Sequence, residues 1–305
     1  MAPTVGFTVK SFTWYQYFFT ECRAVWLYLR LFILPFGQNV DHDFPISTTL
    51  LQHGAWAGLL GLLVAIWMSW RYRRRYPLTS FGFLLFLLLL APTSSFIPFV
   101  DPVFERRLYL PMIGLLLIAF DALRRLSWGK VELSMLLVAV IGASALATYQ
   151  RNVLWSNATA LWQDAVSKSP SKMRPHSMLG LSLLTMGRCK EAEQEYATAA
   201  RLLPLDIKHP TGATAEILSN WGLACLCLKQ TQPALTKLLQ AATIKPTAQL
   251  YSQIGMIYER QHAWDQSLDF LRQAMQLDQA YESTYVYLGN LYMETERPGE
   301  AIGVL

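Results

Sequence analysis

The stretch PTSSFIPFVDPVFERRLYLP, residues 92–111, carries Asp101, Glu105, Arg106 and Arg107 among prolines that fix the backbone, and it separates two apolar runs. Adjacent guanidinium groups are planar forks that can each hold a phosphate through two parallel hydrogen bonds. A lipid phosphate lies at the depth of a loop at the bilayer lip, so a headgroup grip is one chemistry open to Arg106 and Arg107. The same pair could instead anchor the following apolar run by extending toward the headgroups.

Two other groups could do chemistry. Asp41, His42 and Asp43 are consecutive and could in principle contribute to a metal site, but in FGQNVDHDFPIS they read as an exposed acidic surface loop. Cys22, Cys189, Cys225 and Cys227 lack metal-ligand spacing; Cys225 and Cys227 lie two apart on a predicted helix and face different directions, so all four read as free thiols. No metal and no cofactor is expected, and no catalytic residue is assigned. Asn157, Ala158 and Thr159 form an Asn-x-Thr sequon.

The elements that must position these groups divide the chain in two. Of its 305 residues 53% are hydrophobic and only 15% charged, well under the roughly 25% charged residues of a soluble domain. The apolarity lies almost entirely before residue 150, which predicts an all-α protein with a membrane half and a soluble half. The net charge of +5 comes from basic residues beside apolar runs rather than from a patch suited to nucleic acid, and no nucleic-acid partner is expected.

Residues 1–49 read as an interfacial helix, within 11–36 and rich in aromatics but interrupted by Glu21, Arg23 and Arg30, followed by an external loop; a spanning helix is the alternative. No cleavable signal peptide is visible in MAPTVGFTVK. Residues 50–150 predict a transmembrane domain of about four spans: 50–70, 81–99, 108–123 and 131–149. Arg71, Arg73, Arg74 and Arg75 follow the first span, and Arg124, Arg125 and Lys130 follow the third, whereas the loop between the second and third holds only Arg106 and Arg107. Basic loops stay cytoplasmic. This orientation puts the N-terminal segment and residues 151–305 outside the cytosol, in a bacterial periplasm beyond the inner membrane or in the lumen of the endoplasmic reticulum.

Residues 151–305 read as a tetratricopeptide (TPR) α-solenoid, a half-repeat and about four repeats. Gly180, Gly222, Gly255 and Gly289 recur at spacings of 42, 33 and 34, against an expected period near 34. Twelve residues beyond each stands Ala192, Ala234, Ser267 or Ala301, a small residue where helices approach closely. Four further on, Tyr196, Leu238, Leu271 or Leu305 fills the gap, and Ala199, Ala241 and Ala274 follow. The surplus in the first spacing falls in LDIKHPTGA, and Ala158, Trp162, Ala165 and Pro170 repeat the second-helix pattern as a capping half-repeat. The array stops at AIGVL within a second helix, so continuation of the chain, or a partner covering Leu291, Ile302 and Leu305, is expected.

FGQNVDHDFPIS, PTSSFIPFVDPVFERRLYLP, RNVLWSNATALWQDAVSKSP and the repeats, in that order, resemble the C-terminal part of the transmembrane-and-TPR O-mannosyltransferase-like proteins of the GT-C superfamily, a DUF1736-type region followed by TPRs. The resemblance implies a multi-span membrane fold, a polyprenyl-phosphate sugar as donor near the outer face, and a protein partner or acceptor held by the TPR groove. It places Glu105, Arg106, Arg107 and Tyr109 beside the donor phosphate. The catalytic acid of that superfamily lies in the first external loop, ahead of the region matched here, so the resemblance supplies none in this chain. A non-catalytic membrane TPR scaffold is the second functional expectation.

Overall fold

The computed structural model describes residues 12–203 and 212–304, and every regular element among them is helical. They form two compact units, residues 1–169 and 170–305. The predicted N-terminal decapeptide, most of LDIKHPTGA, Pro204 and the gap-filling Leu305 lie outside the described residues.

In the first unit, α1 (Trp14–Ile33) starts where the Thr13 backbone N–H donates to Gln16 Oε1 at 2.9 Å. Its buried stripe runs through Tyr17, Glu21, Ala24, Val25, Tyr28 and Leu31, a helical spacing. α2 (Ala55–Arg71) meets this stripe's flank closely: a Cβ on Gly58 would stand 2.5 Å from the Cys22 carbonyl oxygen, and Trp26 Nε1 donates to the Gly58 carbonyl. α3 (Pro77–Leu90) opens on a proline, which fits a first helical turn, and pairs with α4 (Met112–Leu123). Gly82 and Gly114 face each other where they cross, each directly under the other's carbonyl. Small residues at such a crossing bring two backbones into contact.

The apolar runs and the helices differ in length. The segment preceded by a 3-10 turn, Gln52–Arg71, and α5 (Lys130–Trp155) have membrane-spanning length and composition. The second and third predicted spans become α3 and α4, of 14 and 12 residues, about 21 and 18 Å at 1.5 Å per residue, short of a ~30 Å hydrocarbon core. Pro92, just past the Ala91 cap of α3, ends the first of these runs early, and Pro111, directly before α4, marks the late start of the second. The residues between form no α-helix, only the 3-10 turn Glu105–Leu108, and contribute Val103 and Leu108 to the core of Tyr28, Phe86, Leu90 and Leu115. The two arginine-rich loops share one end of the unit, where Arg125 Nη2 donates to the Arg75 carbonyl at 3.3 Å and Arg125 covers the Tyr76 ring. Arg124 and Arg125 also pair with buried Asp121, which accepts from Thr79 at the start of α3. α5 has no buried residue.

α6 (Ala158–Lys168) is capped by Asn157, whose Oδ1 accepts the Ala160 N–H at 3.0 Å. Its end is pinned inside the first unit by the external loop. Ala165 is fully buried, but Ala158, in register with Ala192 of the first repeat, is exposed, because α5 precedes α6 where a repeat would have a first helix.

The described residues of the second unit form four helical pairs: α7 (Met173–Thr185) with α8 (Cys189–Arg201), α9 (Gly212–Cys227) with α10 (Thr231–Ile244), α11 (Ala248–Arg260) with α12 (Trp264–Leu277), and α13 (Glu282–Glu294) with α14 (Pro298–Val304). The predicted close approaches are present. Gly180 meets the Tyr196 ring, Gly222 meets Leu238, and Gly255 meets Leu271, while Ala192, Ala234 and Ser267 are fully buried. Ser252 on α11 and Thr284 on α13 share a buried hydrogen bond of 2.7 Å between neighbouring first helices.

Each pair is joined by the same turn, which the residue pattern did not reveal. Gly187, Lys229, His262 and Glu296, each seven residues past its glycine, all adopt positive φ of 57–74°. The following residue's N–H, from Arg188, Gln230, Ala263 and Arg297, returns to the carbonyl five residues earlier. This is the Schellman closure of a helix. Only the first repeat spends a glycine on it, and the other three hold a side chain where L-residues are strained by about 1 kcal/mol or more. We expect His262→Gly to raise stability by about 0.5–1 kcal/mol, read as a higher melting midpoint in detergent, provided the lost ring contact with Trp264 is weak. A lowered midpoint would mean that this contact outweighs the strain.

Candidate functional site

The four residues predicted to hold a lipid phosphate lie on one 3-10 turn, Glu105–Leu108, and its continuation, but their side chains go three ways. Glu105 turns toward the external loop: Oε1 accepts the Asn39 backbone N–H at 2.6 Å and meets His42 Nε2 at 2.8 Å. Arg106 points outward, exposed, with its guanidinium 4.5 Å over the Phe104 ring. Tyr109 is 76% exposed.

Arg107 turns inward. Its guanidinium donates to the carbonyls of Asp101 and Pro102 at 2.7 and 2.6 Å and to Tyr17 Oη at 3.1 Å, and it sits over the rings of Phe99 and Phe104. Its side chain is only 6% exposed. Arg106 and Arg107 therefore do not form one double fork; the second holds the loop that presents the first.

Beneath Arg107 lies a group that sequence reading missed. Glu21 is buried, with Arg107 Nη1 3.5 Å from Oε1 and the hydroxyls of Tyr17 and Ser94 beside its carboxyl. The nearby Tyr17 hydroxyl is committed to the Thr93 carbonyl at 2.6 Å. α1 is not one of the segments of spanning length and composition. There burial raises the Glu21 carboxyl to about 8, against the opposing attraction of Arg107. The signal was available: Glu21 occupies the apolar stripe of α1, four residues from Tyr17 and seven from Tyr28.

The external loop is also built differently from its sequence reading. Rather than an exposed acidic loop, it buries Asn39, Asp41 and Ser47 and leaves Asp43 exposed. Asn39 Nδ2 donates to the Asp41 carbonyl and to Ser169 Oγ, Ser169 Oγ donates back to the Asp41 carbonyl, and the Asp43 N–H donates to Ser169 Oγ at 2.9 Å. Lys168 Nζ reaches the Gln38 carbonyl. A loop rich in Gly, Asn and Pro becomes ordered because its backbone groups find side-chain partners at the end of α6. Thus the segment 38–43, the Glu105 turn and the end of α6 form one hydrogen-bonded assembly that fixes where Arg106 and Tyr109 stand.

The cysteines correct a further expectation. Cys189 and Cys227 form a disulfide, and only Cys22 and Cys225, both buried, remain free. Spacing along one helix could not show this, since the partner of Cys227 is on a different helix, 38 residues away. In the sequon, Asn157 is occupied as the cap of α6 and Thr159 is buried.

Fold and site together define a helical unit, with two helices of membrane-crossing length and composition among the described residues, and a TPR-type repeat unit. No family model matches the chain. Among curated proteins it is similar to Protein O-mannosyl-transferase Tmtc3 of Drosophila melanogaster, 25% identical over 230 residues that make up 68% of this chain and 24% of that protein. Protein O-mannosyl-transferase F38B6.6 of Caenorhabditis elegans is 25% identical over 186 residues, 59% of this chain and 27% of that protein. Tmtc2 of the same fly is 31% identical over 118 residues, 37% of this chain and 12% of that protein. The chain spans about a quarter or less of the length of these relatives. Among solved structures it aligns with MamA from Desulfovibrio magneticus RS-1 (17% identity, 54% of this chain and 90% of that one, TM-score 0.44) and with YrrB, a TPR protein (19% identity, 50% and 78%, TM-score 0.40).

Proposed function

We propose that this chain is the membrane-anchored, repeat-bearing portion of a protein that transfers a sugar from a polyprenyl phosphate, as in the GT-C superfamily, with Arg106 and Tyr109 presented to the donor phosphate. The repeat unit, outside the cytosol in the periplasm or the endoplasmic-reticulum lumen, holds the acceptor protein in its groove, as stacked helical pairs commonly do. The observation that carries this reading is the division of labour on the Glu105 turn. Glu105 and Arg107 are committed to neighbours within the unit, and Arg106 is left exposed on an immobilised backbone. Likeness to the O-mannosyl-transferases supports the same reading. The arginine-rich ends of α2 and α4 support the orientation, since they meet at the opposite, cytoplasmic end.

A second reading, a non-catalytic membrane TPR scaffold, draws support from the acids. Glu21 and Asp41 are buried and Glu105 is held by Asn39 and His42, so these three carboxylates serve the fold. One substitution separates the two readings. Arg106→Lys keeps the charge and removes the planar fork. A phosphate-holding Arg106 loses one or two charge-assisted hydrogen bonds, each worth about 1.5–3 kcal/mol, so affinity for polyprenyl phosphate should fall at least tenfold with the melting midpoint unchanged. Titration of purified protein in detergent checks this. Equal affinities, or no binding by either protein, would leave the scaffold reading.

A further inference from the structure

We propose that the Cys189–Cys227 bond is a covalent staple across the widest of the repeat spacings read from the sequence, formed after the unit enters an oxidising compartment. The inference rests on the placement of the repeat unit outside the cytosol proposed above, whereas the lipid reading of Arg106 is decided by its own titration and survives the failure of this one. Cys189 is the first residue of α8 and Cys227 the last of α9, and their Cα atoms are 5.9 Å apart, inside the window that a disulfide requires. The bond ties neighbouring helical pairs together. In sequence, Gly180 and Gly222 stand 42 residues apart, whereas the following repeat glycines stand 33 and 34 apart, so the extra residues fall at this joint. A longer sequence separation costs more closure entropy when its ends are held together, and the bond lies at this joint.

Its surroundings suit exchange with an external partner. Cys227 is exposed, and the pair lies in a shallow cleft lined by Gly187, Arg188, Lys190, Glu191 and Leu228. Cys225, two residues earlier on α9, is buried and faces elsewhere. In the forming step each thiol gives up its proton and the sulfurs join. The two electrons pass to a protein or glutathione disulfide of the compartment, which is reduced to two thiols. Such bonds persist outside the cytosol and are rare within it.

Cells expressing the full chain would be quenched with acid, their free thiols blocked under denaturing conditions, and the protein then reduced and labelled with maleimide-polyethylene glycol. The wild type should gain two adducts, Cys189→Ser and Cys227→Ser none, and Cys225→Ser two. Reduction of the purified wild type in detergent should lower its melting midpoint by roughly 5–10 °C. Non-reduced peptide mass spectrometry of the wild type reads the link directly, even where a variant fails to fold. A wild type without post-reduction adducts, a link to Cys225, or a midpoint unmoved by reduction would each overturn the proposal.

Discussion

Gly114→Leu should yield little or no folded protein. A Cβ at Gly114 would press directly on the Gly82 carbonyl oxygen and would stand 2.7 Å from the Phe86 nitrogen. Ordinary overpacking costs about 1–3 kcal/mol because neighbouring side chains rotate away; here the obstacles are backbone atoms of α3, and the only relief is separation of the helices. Separation would open the contacts of Phe86, Leu90 and Leu115, three members of the first unit's core. Gly142→Leu in α5 is the control, since a Cβ added there would meet no atom of another element within 4 Å. Fluorescence-detected size exclusion of tagged variants should show a monodisperse peak for Gly142→Leu and loss of that peak for Gly114→Leu. A normal peak for both would mean that α3 and α4 do not cross at these glycines.

The repeats were legible because their determinants are local: a glycine, a small residue twelve further on and a bulky one four beyond that must recur wherever two helices pack at close range. The left-handed turns at Lys229, His262 and Glu296 were not, since these residue types do not announce positive φ as Gly187 does. Apolar composition located the membrane-like helices but not their ends, because Leu108 and Val103 are apolar for a core that the proline-rich loop itself enters. Candidate site residues were singled out by type and spacing, yet Arg106 and Arg107 are neighbours with opposite orientations. Only the positions of Tyr17 and Glu21 on a separate helix determine which guanidinium is drawn inward.

Arg107→Met should therefore damage the fold rather than merely weaken ligand binding. The substitution fills similar apolar space but withdraws the donors that satisfy the Asp101 and Pro102 carbonyls and the Tyr17 oxygen. Each buried acceptor left without its donor typically costs about 1–3 kcal/mol. The acid beneath it makes the effect pH-dependent. In the wild type Glu21 titrates near 8 rather than its ordinary 4.5. A carboxyl raised in this way binds its proton more tightly folded than unfolded, so its stabilisation is complete below about 4.5 and is lost as pH rises through about 8. Wild-type melting midpoints should fall as pH rises from about 5 to 8 and level off above that, and Glu21→Gln, whose amide cannot ionise, should remove most of that fall while remaining folded at pH 6. Arg107→Met should melt well below the wild type even at pH 6, where Glu21 is protonated in both. A series of melts in detergent across this range decides the matter: an unaltered slope in Glu21→Gln would show that its carboxyl is not the titrating group, and a wild-type midpoint for Arg107→Met would show that Arg107 does not hold the loop.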